Sequence, residues 1–172
     1  MKYTHIIAAI ALLVLSACGG GGSSSEGSGS GNTDGALNGN YSGAQNVTLS
    51  VGGSSSSTGN LQINFTVVGP KITLSAGSTG GEGSIYSNNK FKVPVRFTSN
   101  ISGIGVCTYN FVYNGEFTPD RNITGSIGGN VECPNAAKVD VSGVFTANKG
   151  SGKTLSGSLE EETATLLRNL LQ

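Results

Sequence analysis

The sequence predicts an all-β domain: a small antiparallel meander barrel (or sandwich) of about eight or nine strands with a short C-terminal helix. Three observations carry this. Apolar and polar residues alternate with a period of two through most of the chain. Ser- and Gly-rich breaks cut that alternation into short runs. The last residues switch to helical spacing. In chain order the runs are Val47 to Val51, Leu61 to Val67, Lys71 to Leu74, Phe91 to Phe97, Ile104 to Tyr113, Ile123 to Cys133 and Val139 to Ala147, with Leu155 to Leu159 as a weaker last strand. In the second run Leu61, Ile63, Phe65 and Val67 share one face, and Gln62, Asn64 and Thr66 share the other. Phe91, Val93, Val95 and Phe97 repeat the pattern against Lys90, Lys92, Pro94 and Arg96, so each strand has a core face and a water face. Gly52 to Gly59 and Gly77 to Gly83 read as breaks, and Asn88-Asn89, Asn114-Gly115 and Pro134-Asn135 as turns. Glycines inside the runs, at Gly125, Gly129, Gly143 and Gly157, suit sharply coiled strands. Leu166, Leu167, Leu170 and Leu171 recur at helical spacing behind Glu160, Glu161 and Glu162. Ser158 with Glu161 fits a capping box for a helix over about 160–171. Its apolar face would plug an open end of the domain, dock on its outside, or meet a partner.

The N-terminus has a different character. Lys2 precedes an apolar run from Ile6 to Leu15, too short to span a bilayer, which needs roughly 20 such residues. Leu15-Ser16-Ala17-Cys18 follows. This stretch resembles the signal peptide of bacterial lipoproteins, whose lipobox ends in an invariant Cys. The resemblance implies that residues 1–17 are removed and that Cys18 carries a diacylglyceryl thioether. Its new amino group would also be acylated, so fatty acids such as palmitate would anchor the chain. Gly19 after the Cys implies, by the family's sorting rule, the outer membrane of a two-membrane envelope, with the domain facing either periplasm or cell surface. Residues 18–36 are almost all Gly, Ser, Asn, Thr and Asp. Such a tether behaves as a coil reaching roughly 23 Å. The β domain then covers 37–172, a length that supports one core. The phrases Tyr41-Ser42-Gly43 and Val141-Ser142-Gly143-Val144-Phe145-Thr146-Ala147 look like strands of small β-barrels in some surface lipoproteins that capture host proteins.

With Cys18 given to lipid, Cys107 and Cys133 are the two cysteines left in an exported, oxidising setting, and a disulfide between them is expected. Cys107 shares parity with Tyr109, Phe111 and Tyr113, and Cys133 with Ile123, Ile127 and Val131, so both thiols should point into the core. Ten Lys and Arg balance ten Asp and Glu, which gives no footprint for nucleic acid. The one histidine, His5, lies in the signal, so the mature chain lacks the commonest general base and metal ligand. Glu116, Asp120 and Glu132 are the acids that could form a glycosidase-type pair. No constellation of catalytic roles assembles, so the expectation is a non-enzymatic protein with no cofactor and no metal.

Two surface signals remain. Lys90, Lys92 and Arg96 form a basic stripe that, with Pro94, would guard an exposed strand edge, or else contact lipid headgroup phosphates or an acidic polymer. The sequons at Asn46, Asn64, Asn100 and Asn122 are products of Asn- and Thr-rich strands. The functional expectation is a membrane-anchored envelope lipoprotein that binds a small apolar ligand inside its barrel or a protein on its loops. The alternatives are a structural or accessory envelope protein and an inhibitor of an envelope-attacking enzyme.

Overall fold

The computed structural model describes residues 35–150 and 157–171. Nine strands and one helix follow in order: β1 (Gly39–Val51), β2 (Ser54–Ser57), β3 (Leu61–Val68), β4 (Lys71–Ala76), β5 (Thr79–Ile85), β6 (Lys90–Ile101), β7 (Gly105–Phe117), β8 (Ile123–Glu132), β9 (Val139–Lys149) and α1 (Leu159–Leu171). All pairings are antiparallel between chain neighbours, except that β1 also pairs with β3 and with β9. The β1–β9 ladder runs from Tyr41 opposite Lys149 to Ser50 opposite Asp140. It closes β1 and β3 to β9 into an eight-stranded barrel with β2 as an extra strand. The expected meander barrel is the fold.

The length of β1 explains the extra strand. β1 is long enough to pair along its first half with β3 and along its second half with β2, on the same side. The hairpin between β1 and β2 turns at Gly52 and Gly53, with φ of 57° and 88°, values that a side chain disfavours. Thr58 bridges the gap between β2 and β3. Its backbone N–H donates to the Val47 carbonyl at 2.8 Å, and its hydroxyl accepts the Val47 N–H at 3.0 Å. The break expected over Gly52 to Gly59 therefore holds a four-residue strand, and the break over Gly77 to Gly83 holds most of β5. These runs carry no apolar alternation, so only neighbours on the closing sheet recruit them. Asn114-Gly115 is likewise no turn but part of β7. Asn88-Asn89 and Pro134-Asn135 do turn, with Asn89 and Asn135 at φ of 59° and 57°.

The interior is filled by side chains at the alternating positions. Tyr41, Phe65, Phe91, Tyr109, Phe111, Tyr113 and Phe145 are all buried among Val, Ile and Leu. One row of inward positions shows how they fit. Phe91 on β6 faces Gly115 on β7, which faces Gly125 on β8, which faces Phe145 on β9. Each ring lies in the space its glycine neighbour leaves open: a Cβ at either glycine would collide with the ring beside it. The two rings approach each other to 6.4 Å between centroids and both pack on Phe65, at 5.7 and 5.5 Å. Alternating large and small residues in this way lets a barrel of eight strands fill its own centre.

The two ends are closed differently. At the end where β1 begins, Leu37 and Phe117 lie over the core; the Tyr41 hydroxyl donates to the Leu37 carbonyl at 2.6 Å, and the Tyr41 and Phe117 rings are 5.6 Å apart. At the other end α1 covers the opening, packing on β1, β2 and β6. Leu159, Thr163, Leu166 and Leu167 form its buried face. The Thr163 hydroxyl turns back to the Leu159 carbonyl at 2.6 Å, which lets a polar residue be fully buried there. Ser158 precedes the helix and its carbonyl accepts the Glu162 N–H at 3.0 Å. Of the three roles left open by the sequence for this face, the helix takes that of the plug. Leu159 opens the helix rather than ending a strand, so the weak strand expected over Leu155 to Leu159 is overturned for its described part; residues 155 and 156 lie outside the described residues. Three acids in the first turn favour the helix there.

Candidate functional site

The sequence-derived sites fall in different places. Leu15 to Cys18, the signal and the tether up to residue 34 lie outside the described residues. Cys107 and Cys133 are bonded, their Cα atoms 4.3 Å apart. The register that sets Thr108 opposite Glu132 brings them face to face, with Cys107 buried and Cys133 half-buried at the edge of the core. The bridge ties the start of β7 to the end of β8, at the helix end of the barrel.

Glu116 and Glu132 do not form a pair. Glu116 stands opposite Thr124 and Glu132 opposite Thr108, eight positions apart on one ladder. At about 3.4 Å per residue that is roughly 27 Å, far beyond the separation of a glycosidase pair. Asp120 sits in the β7–β8 turn, and Glu132 accepts a hydrogen bond from the Asn130 amide at 2.7 Å.

The basic stripe is not on an edge. β6 pairs with β7 along its whole length and with β5 at Phe91 and Lys92, and the Pro94 carbonyl lies against Gly81 of β5. Barrel closure leaves no edge to guard there, so that role for Lys90, Lys92 and Arg96 is withdrawn. Lys90 and Lys92 instead line an open groove of about 600 Å³ on the outer wall. Its sides are the rows Lys90–Glu116–Thr124 and Lys92–Asn114–Ser126, taken across β6, β7 and β8, with Tyr86 and Asn88 from the β5–β6 connection at one end. The floor is Phe91, Gly115 and Gly125, the part of the wall where two neighbouring strands carry no inward side chain. Lys90 lies 3.8 Å from Glu116, both more than half exposed, so this pair adds little stability. Tyr86 is 40 % exposed, the one aromatic among the exposed large apolar side chains of the described residues.

Sequence reasoning found Lys90, Lys92 and Glu116 but not the groove. Tyr86 was visible as an aromatic just before a turn. Asn114-Gly115 was visible too, but turn chemistry hid its place in a strand.

Inside the wall, three tyrosines are perturbed, and burial pushes Tyr41 up, partly offset by the positive charge of Arg121. Burial pushes the Tyr113 hydroxyl far up, partly offset by its hydrogen bond to the Gln45 carbonyl oxygen at 2.7 Å. Burial, and next the negative charge of Glu160, push Tyr109 up to about 12. Among the described residues neither the Tyr109 hydroxyl nor the Gln45 amide nitrogen has a hydrogen-bond partner. Both belong to the core and not to the groove.

No family model matches the chain, and no solved structure matches it. The chain is similar to the flagellar hook protein FlgE of Brucella abortus and of Brucella melitensis. Each is 28 % identical over 134 residues, covering 74 % of this chain and 30 % of the hook protein. The chain thus spans less than a third of the length of the relatives it matches.

Proposed function

We propose that this protein is an acylated envelope lipoprotein, anchored through Cys18 to the outer membrane, whose β-barrel binds a partner on its outer wall. The groove along β6 to β8 supports that reading: an exposed tyrosine, amides, hydroxyls and two lysines converge on one concavity of about 600 Å³. The barrel interior is occupied by aromatic side chains. Binding therefore uses the outside, not a small apolar ligand within. No step of chemistry is part of this role.

The experiment is photo-crosslinking in living cells with a reactive residue at Tyr86 or, as a control, at Val106, an exposed apolar position at the opposite end of the barrel. Discrete adducts from position 86 and none from 106 support the groove. Equal or absent adducts at both refute it. Labelled palmitate incorporated by the native chain but not by Cys18→Ala would establish the anchor independently.

A structural or accessory role in the envelope is the second reading. The similarity to a flagellar hook protein favours it. Under that reading the adducts would be copies of this chain or components of an envelope assembly.

A further inference from the structure

Charge is sorted along the barrel axis. The strand directions place Lys71, Lys90, Lys92, Arg121 and Lys149 at the end where β1 begins, with Glu82, Glu116 and Asp120. Glu132, Asp140, Glu160, Glu161 and Glu162 lie at the helix end, with Lys138 and Arg168. Arg96 is midway along β6. Among the described residues five cations against three acids stand at one end, and five acids against two cations at the other. At the cationic end Lys71 pairs with Glu82 at 2.7 Å and Lys90 with Glu116 at 3.8 Å. Among the described residues Lys92, Arg121 and Lys149 have no ion-pair partner there. The chain also enters the barrel at this end, through Ala36 and Leu37 to Gly39.

Arg121 adds a second observation. It sits at φ 59°, a left-handed conformation that favours Gly or Asn, in a turn closed by its own N–H to the Thr118 carbonyl at 2.8 Å. The turn presents it beside Thr118, Pro119, Asn89, Leu37 and Phe117 on a depression of about 370 Å³ in the end face. A guanidinium over such a depression suits a phosphate group.

We infer that the β1-entry end of the barrel seats on an anionic bilayer surface, with Lys71, Lys90, Lys92, Arg121 and Lys149 toward the headgroups and the acidic helix end pointing away. This rests on the anchor at Cys18, which delivers that end to the membrane. The 18 positions of Gly- and Ser-rich sequence that separate Cys18 from Ala36 permit the contact without enforcing it, so charge selects the orientation. Two net positive charges near an anionic surface favour it roughly thirtyfold. The groove then opens sideways at headgroup height.

The test uses the acylated full chain on vesicles of neutral phosphatidylcholine or of phosphatidylcholine with phosphatidylglycerol. Lysines are acetylated with a membrane-impermeant reagent and read by mass spectrometry. Seating predicts several-fold slower labelling of Lys71, Lys90, Lys92 and Lys149 on the anionic vesicles, unchanged labelling of Lys138, and loss of the difference in high salt. Equal labelling on both vesicles overturns it. Arg121→Glu with Lys92→Glu, both exposed, should abolish the protection of Lys90; protection that survives also overturns it. Flotation separates the two ideas. A chain that fails to float with neutral vesicles refutes the anchor, and flotation with anionic vesicles at low salt then decides the seating alone.

Discussion

The aromatic–glycine–glycine–aromatic row across β6 to β9 makes a quantitative prediction about how this barrel fills its centre. A Cβ at Gly115 would meet Phe91 ring atoms, with the second and third nearest at 2.8 and 2.9 Å, closer than real Cβ contacts allow. Gly115 lacks the positive φ that would forbid a side chain, so the ring is the obstacle to Gly115→Ala and the backbone is not. Phe91 also touches Phe65, Phe117 and Phe145 and cannot withdraw without disturbing three other rings. Overpacking of this kind costs about 1–3 kcal/mol, against which the reduced freedom of the unfolded chain returns about 0.5–1 kcal/mol. A net loss of about 1–2 kcal/mol follows, or roughly 4–8 °C in Tm for a domain of this size. Phe91→Leu alone should cost about 1 kcal/mol. With the ring gone, the alanine methyl fills the space it vacated, so the double variant should be no less stable than Phe91→Leu. Urea unfolding of the four proteins gives the coupling energy. A double variant more stable than the sum of the singles by at least about 1 kcal/mol supports the row. Additive losses would refute it, because the two positions would then not share one space.

Four further outcomes are expected. Reduction of Cys107–Cys133, or the double alanine variant, should lower stability by about 3 kcal/mol in the chain-entropy model, measured as the shift in urea midpoint with and without reductant. Stability should also fall at alkaline pH. Tyr109 and Tyr113 are neutral in the fold with pKa values raised above the unfolded value of about 10, so their contribution is complete below pH 10 and lost as pH climbs toward and beyond 12. Absorbance of ionised tyrosine rising in step with loss of circular dichroism checks it, and titration of Tyr109 and Tyr113 near 10 in a folded protein would contradict it. The two buried hydroxyls should respond oppositely: Tyr113→Phe strands the Gln45 oxygen and costs about 1–2 kcal/mol, whereas Tyr109→Phe removes an unpartnered hydroxyl and should be neutral or stabilising. Finally, Leu167→Ala, which opens a hole at the fully buried centre of the helix seat, should cost about 2–4 kcal/mol, while Leu170→Ala at the periphery should cost much less.

Sequence alone was sufficient for the class of fold. Strict alternation in Leu61 to Val67 and Phe91 to Phe97 fixes which side chains point inward, because a strand's period is two whatever its partners are. Parity likewise put Cys107 and Cys133 on inward faces, and leucine spacing placed the helix within a residue of Leu159–Leu171. The tertiary structure decided the rest. β2 and β5 are strands because β1 and β4 offer unpaired backbone beside them, not because Ser54–Ser57 or Thr79–Ile85 prefer that state. Barrel rather than sandwich was decided by the β1–β9 ladder, a long-range pairing with no local signature. The groove required Tyr86, Lys92, Asn114 and Ser126, spread over forty positions of sequence, to be laid side by side by register. The charge polarity required alternating strand directions to gather residues from Lys71 to Lys149 at one end. Local patterns record which face of a strand is apolar; which neighbours that face meets, and what the outer wall assembles, depends on contacts between residues far apart in the chain.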